Sequence, residues 1–228
     1  MTVELTCHGH ACFSIEGAGK TIWLDPFLTD NPQADVQVED VRDADYILVS
    51  HGHGDHLGDA IAIAHQTGAM IISNHEIASY SQERGAEAHG LHIGGGYQFP
   101  FGRLKMTIAH HGSSFPDGGY GGNPGGFLFD VEDKRIYFAA DTGLFYDMKL
   151  LGEEEAIDVA LLPIGDNYTM GPDDALRAVQ LLTPRLAIPM HYNTFDVIHQ
   201  DPHAFAKRVK ESTGADSVVL SPGESIDL

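Results

Sequence analysis

The stretch ILVSHGHGDHLGDA, Ile47 to Ala60, decides how this chain is read. An apolar run, Tyr46–Val49, has the β-branched and aromatic composition of a buried strand and stops at a polar, glycine-punctuated turn. The turn holds His51, His53, Asp55 and His56 within six positions. His51 and His53, two apart, can face one side of a locally extended loop. Asp55 and His56 come after a further turn and can serve a second ion. Gly52 and Gly54 let the backbone bend and keep side chains from crowding the centre.

The same arrangement recurs at three other strand ends. KMTIA runs into His110 and His111, IYFAA into Asp141, and LAIPM into His191. Ligands at the ends of neighbouring strands converge in space, held by rigid elements. Together with the first turn they make seven donors, too many for one tetrahedral ion and suited to two ions that each keep an open position. The expected division is His51, His53 and one of His110 or His111 on the first ion, and Asp55, His56 and His191 on the second, with Asp141 bridging. Adjacent residues of an extended strand face opposite ways, so only one of His110 and His111 points at the ions. Imidazole with some carboxylate suits Zn2+ best, and Mn2+, Fe2+ or Ni2+ also fit.

Bulk properties narrow the classes further. With 228 residues, 43% of them hydrophobic, the chain reads as one α/β domain over 1–228. A net charge of -20 and only 13 Lys and Arg argue against nucleic acid or anionic membrane as partners. The N-terminal MTVELTCHGHACFSIEG shows no secretory pattern, so a cytoplasmic location is expected. Cys7 and Cys12 lie in strand-like sequence, too far apart in an extended chain and on opposite faces for a disulfide, and are read as reduced and buried. GAGKT at Gly17–Thr21 is not a phosphate-binding loop. Ser14 stands where that motif needs Gly, and the segment leads into a strand, TIWLD.

Strands are expected at Val3–Thr6, Cys12–Glu16, Thr21–Leu24, Tyr46–Val49, Met70–Ser73, Leu104–Ala109, Gly126–Asp130, Arg135–Ala139, Val159–Leu162, Leu186–Pro189 and Ser217–Leu220. Helices are expected at Leu57–His65, His75–Glu83, Asp173–Leu182 and Asp201–Glu211, the last two on proline and cap signals. Gly94–Gly96 and Asp117–Gly126 read as glycine-rich loops. Early hairpins followed by alternating strands and helices give a layered α/β fold.

HGHGDH, AHHGSS, FAADTG and PMHYNTF resemble the successive motifs of the metallo-β-lactamase superfamily, and Asp25 in TIWLDP resembles its first motif. The resemblance covers nearly the whole chain. It is closest to a branch of cytoplasmic metal-dependent hydrolases similar to L-ascorbate-6-phosphate lactonase. It implies a four-layer αββα sandwich with a dinuclear site at the sheet edges, a small-molecule substrate and a homo-oligomer. The branch's HGSS pattern favours His111 over His110.

The expected activity is hydrolysis of an ester, lactone or phosphodiester by water activated between two divalent ions, with Asp55 orienting the nucleophile or moving its proton. Asp25 is expected to orient a ligand histidine rather than bind metal. The alternatives are a non-catalytic metal-binding or sensor protein and an RNA-processing nuclease of the same fold, the latter opposed by the charge. His10, in GHACF, and Asn167, Tyr168, Thr169, Asn193 and Thr194, in loops after strand ends, are candidate site-lining residues. His65, His75, His89, His92, His199 and His203 have no ligand spacing and read as surface or packing residues.

Overall fold

The structure, a computed structural model, describes residues 2–228. The chain opens with an antiparallel meander, β1 (Glu4–Cys7), β2 (Phe13–Gly17) and β3 (Lys20–Leu24), then adds β4 (Tyr46–Leu48), β5 (Met70–Asn74) and β6 (Ala88–Leu91) in parallel. These form one seven-stranded sheet, closed at its other edge by the C-terminal β14 (Ser225–Asp227). The second sheet runs β13-β12-β11-β10-β9-β8-β7. Its strands are β7 (Gly96–Phe99), β8 (Gly102–Ile108), β9 (Gly125–Val131), β10 (Lys134–Phe138), β11 (Val159–Pro163), β12 (Leu186–Met190) and β13 (Asp216–Ser217).

Side-chain alternation assigns the layers. On β10, Ile136 and Phe138 point between the sheets, where they meet Phe13, Ile22 and Leu48 of the first sheet. Tyr137 points outward and packs on α4 (Met148–Glu154), α5 (Pro172–Leu182) and α6 (Pro202–Ser212) through Met148, Val179 and Phe205. The first sheet's outer face, with Trp23, Ile47 and Ile71, packs on α1 (Gly54–Leu57), α2 (Ala60–Thr67) and α3 (His75–Glu83). The result is the expected αββα sandwich. Each fully buried Phe contributes about 2 kcal/mol of apolar burial.

Local differences from the sequence reading have local causes. The helix expected over Leu57–His65 is two, α1 and α2, broken at Gly58, where φ is +41° and a Cβ would overlap the carbonyl oxygen of Pro26. Gly96 starts a strand rather than ending a loop, and β13, Asp216–Ser217, keeps only Ser217 of the strand expected at Ser217–Leu220. Cys7 and Cys12 are free and buried, but the chain between them is a tight turn rather than extended strand: the His8 N–H donates to the Cys12 carbonyl at 2.8 Å.

Strand directions put one set of loops at one end. β3, β4 and β5 are parallel, so Asp25, His51 and α3 emerge together. β2 runs against β3, which brings the His8–Cys12 turn to that end as well. In the second sheet, β10, β11 and β12 are parallel and β8 runs with them, placing residues 109–124, 139–147, 164–171 and 191–201 at their ends.

Candidate metal centre

Sharp backbone turns convert strand ends into donors. His191 follows β12 directly with φ +56°, Asp25 follows β3 with φ +40°, and Ala140, just before Asp141, has φ +54°. His10, in the β1–β2 turn, has φ +58°. Non-glycine residues in this region cost roughly 1 kcal/mol each, and their clustering here swings the side chains out of the sheets toward one point. His51, His111 and Asp141 leave their strands by three residues, slightly later than the sequence suggests.

Two groups of donors result. His51, His53 and His111 bring ligand atoms within 4.8 Å of one another, and His51 Nε2 lies 3.0 Å from His53 Nδ1. His10, Asp55, His56 and His191 form the second group within the same limit. Asp55 Oδ2 lies 3.3 Å from His10 Nε2, 3.9 Å from His191 Nε2 and 4.0 Å from His56 Nε2. Asp141 joins the groups: its Oδ2 is 3.1 Å from His191 Nε2, 3.3 Å from His56 Nε2 and 3.5 Å from His111 Nε2. The second group includes His10, which the expected division of donors did not contain. Of the adjacent pair, His111 faces the centre, while His110 is exposed and packs at a tilt beside Phe145, ring centroids 5.1 Å apart.

Electrostatics follow from burial and crowding. Burial and the neighbouring His56 hold His51 well below the usual histidine range. Burial and the adjacent His191 push His10 down to about 4. For His56, burial opposes the charge, but Asp141 and Asp25 outweigh it and raise the imidazole well above its usual value. For Asp141, burial opposes ionisation, but His56 and His191 outweigh it and hold the carboxyl well below its usual range. The site thus keeps anionic carboxylates under a cationic demand that a divalent ion would meet.

Outer contacts orient these donors. Asp25, fully buried, accepts from Ser50 N at 2.7 Å and Ser50 Oγ at 2.5 Å, and its Oδ2 is 2.7 Å from His56 Nδ1. Both Asp25 oxygens are engaged in these contacts, and its distances would also let it join His51 and His56 around an ion. His10 Nδ1 lies 2.7 Å from Thr194 Oγ1, whose hydroxyl donates to Gln33 Oε1 at 3.1 Å. Gln33 Oε1 also accepts from the His10 N–H at 3.1 Å, so it is an acceptor toward both. His10 Nδ1 is thus partnered by Thr194, while Nε2 faces Asp55 Oδ2. Ser50 and Gln33 escaped the sequence reading. Ser50 adjoins His51 and could have been suspected, whereas nothing in NPQAD marks Gln33.

Other candidates lie differently. The Asn193 side-chain oxygen accepts from Gln200 N at 2.8 Å and shapes its own loop. Thr169 Oγ1 donates to the Met170 carbonyl at 3.2 Å, and Asn167 is exposed with φ +53°. Neither joins the donor groups. His65 bonds the Arg84 carbonyl, and His89 packs on Tyr97 and Phe99, as surface and packing residues do.

The donor set fits divalent metal on an observation of its own. His10 Nε2, His56 Nε2, both ring nitrogens of His191 and Asp141 Oδ1 are buried without a hydrogen-bond partner. Buried polar atoms are almost always paired, so a cluster of orphans among imidazoles and carboxylates is the arrangement a metal ion satisfies.

Comparison with known proteins agrees. The family profile described as the beta-lactamase superfamily domain matches residues 4–191. A UPF0173 metal-dependent hydrolase of Pelotomaculum thermopropionicum is 52% identical over 99% of this chain and 100% of that one. One from Geobacillus sp. (strain WCH70) is 50% identical over the same shares. Among solved structures, Igni18, a metallo hydrolase from Ignicoccus hospitalis, superposes with a TM-score of 0.93 at 39% identity, covering 100% of this chain and 99% of that one. The chain belongs to the metallo-β-lactamase superfamily and, within it, to the UPF0173 metal-dependent hydrolases.

Proposed function

We propose that this chain hydrolyses an ester, lactone or phosphodiester bond of a small substrate at a centre of two divalent ions, with zinc the best fit to its donors. His51, His53 and His111 would hold one ion, and Asp55, His56, His191 and His10 Nε2 the other, with Asp141 between them. The observation that carries this reading is the position of Asp141 Oδ2, within 3.5 Å of imidazoles from both groups.

Bound divalent ions would acidify water at the centre, so that a nucleophile forms near neutral pH. The protein's own share is positioning. Asp25 fixes the His56 ring, Thr194 fixes that of His10, and Asp55, with 29% of its side chain exposed, stands where Oδ2 can orient the attacking water or hold its proton. Partial exposure of His53, Asp55 and His111 leaves the centre open to substrate, which supports an enzyme over a closed metal-storage site. The charge of -20 supports a small molecule over RNA. Purified protein reloaded with zinc should cleave at least one member of a panel of aryl esters, lactones and bis(4-nitrophenyl) phosphate. Failure on the whole panel by the metal-loaded protein would overturn the proposal.

A further inference from the structure

The loops around the centre contain no lysine and no arginine. Residues 8–12, 25–37, 49–59, 109–124, 139–147, 164–171 and 191–201 all lack them. The cations lie elsewhere and several are engaged. Lys20 pairs with Asp45 at 2.7 Å and Arg185 with Asp158 at 3.0 Å, both at the opposite end of the sheets. Two stand just outside the site loops and are paired: Lys149, in the first turn of α4, with Glu153 at 3.6 Å, and Arg208 with Asp173, in the first turn of α5, at 2.7 Å. The same site loops carry Asp30, Asp35, Asp117, Asp147, Asp166 and Asp196 beyond the carboxylates of the centre. A second segregation accompanies the first. Among the described residues, every strongly exposed aromatic side chain except Tyr97 is on one of these loops: Tyr120 (67%), Tyr146 (70%), Tyr168 (58%) and Phe195 (40%). Phe195 reaches the centre itself, its ring edge-on to His10 at 5.6 Å.

We propose that the substrate is a carboxylic ester or lactone with an apolar or aromatic body and no anionic group, and that phosphorylated or otherwise anionic compounds are excluded. This rests on the hydrolytic reading of the centre and narrows it. Phosphate and carboxylate tails are normally held by Arg or Lys in fork or point-charge contacts, and none is within the site loops. Asp25, Asp55 and Asp141 offset much of the charge two divalent ions would bring. The field over the mouth is therefore set by the surrounding aspartates, which lower the local concentration of anions. Exposed aromatic faces carry a desolvation gain that only an apolar or ring-bearing ligand collects.

The test is calorimetric and needs no turnover. The zinc-loaded protein is titrated with acetohydroxamic acid, benzohydroxamic acid and 4-carboxybenzohydroxamic acid at low and high NaCl. Benzohydroxamic acid should bind about tenfold tighter than its carboxylated analogue at low salt, and the gap should close as salt screens the aspartates. Phe195→Ala should weaken benzohydroxamic acid several-fold and leave acetohydroxamic acid unchanged. Equal or tighter binding of the carboxylated compound, or no advantage of the benzene ring over the methyl group, overturns the substrate class and leaves the hydrolytic centre intact. Absence of binding by all three to protein that retains zinc overturns the hydrolytic centre and the substrate class with it.

Discussion

Asp25 Oδ2 lies 2.7 Å from His56 Nδ1, and neither side chain is exposed to solvent. The contact holds the His56 ring so that Nε2 faces Asp141 Oδ2 at 3.3 Å. Ser50, one residue before His51, supplies two further hydrogen bonds to the same carboxylate. One buried aspartate at the end of β3 thus ties the turn after β4 to both donor groups.

Removing that tie should be felt at the metal before it is felt anywhere else. Asp25→Asn and Asp25→Ala should lower zinc affinity about 10–100-fold, the usual effect of losing a carboxylate behind a ligand histidine. Competition against a chromophoric chelator measures this. Unchanged affinity in both variants would show that Asp25 does not position His56.

Thr194 offers a second lever. Thr194→Val removes the hydrogen-bond partner of His10 Nδ1 and frees the ring to turn, whereas Thr194→Ser keeps the hydroxyl. The visible absorption of the cobalt-substituted protein should change in the valine variant and stay native in the serine variant. A native spectrum for both would remove His10 from the second ion.

Gly58 separates α1 from α2 in the left-handed region, with no room for a Cβ against Pro26 and Phe27. Gly58→Ala should cost about 2–3 kcal/mol, from backbone strain and overlap together. Urea unfolding of the two proteins gives the difference. A loss under about 0.5 kcal/mol would mean the turn accommodates a side chain.

How much of this was legible in the sequence depended on whether the signal was local. HGHGDH, FAADTG and LAIPMH each join an apolar run to a donor, and those junctions were readable because strand composition and ligand type are both local. His10 was readable only as a candidate site-lining residue, because its turn shows just GHAC, and its place in the second group depends on β2 running against β3. The edge strands β6, β7 and β14 also went unseen. Gly96, Tyr97 and Gln98 of β7 are exposed, so apolar alternation is missing where only one side is paired. Helix α4, MKLLGEE, was missed for its brevity and its glycine. Gln33 depends on a long-range hydrogen-bond chain that no spacing encodes.

The cysteines give a check on the core that is independent of metal. Burial pushes the Cys7 thiol up to about 11 and raises Cys12 well above its usual value. A raised pKa leaves the neutral thiol, and at pH 8 only about one Cys7 in a thousand would be thiolate. Neither should react with iodoacetamide in the native protein, and both should react in urea. Rapid labelling of native protein, read by mass, would contradict the buried turn between β1 and β2.

Two donor groups, joined by Asp141, should hold two divalent ions. The most direct measurement is metal content per chain by mass spectrometry after zinc loading and removal of free ion, for the native protein, His53→Ala and Asp141→Ala. The native protein should hold about two ions, His53→Ala should lose about one and keep the second group's, and Asp141→Ala should retain both more weakly. A native protein that retains no stoichiometric metal, or a His53→Ala variant that retains the full native content, would contradict the two-ion centre.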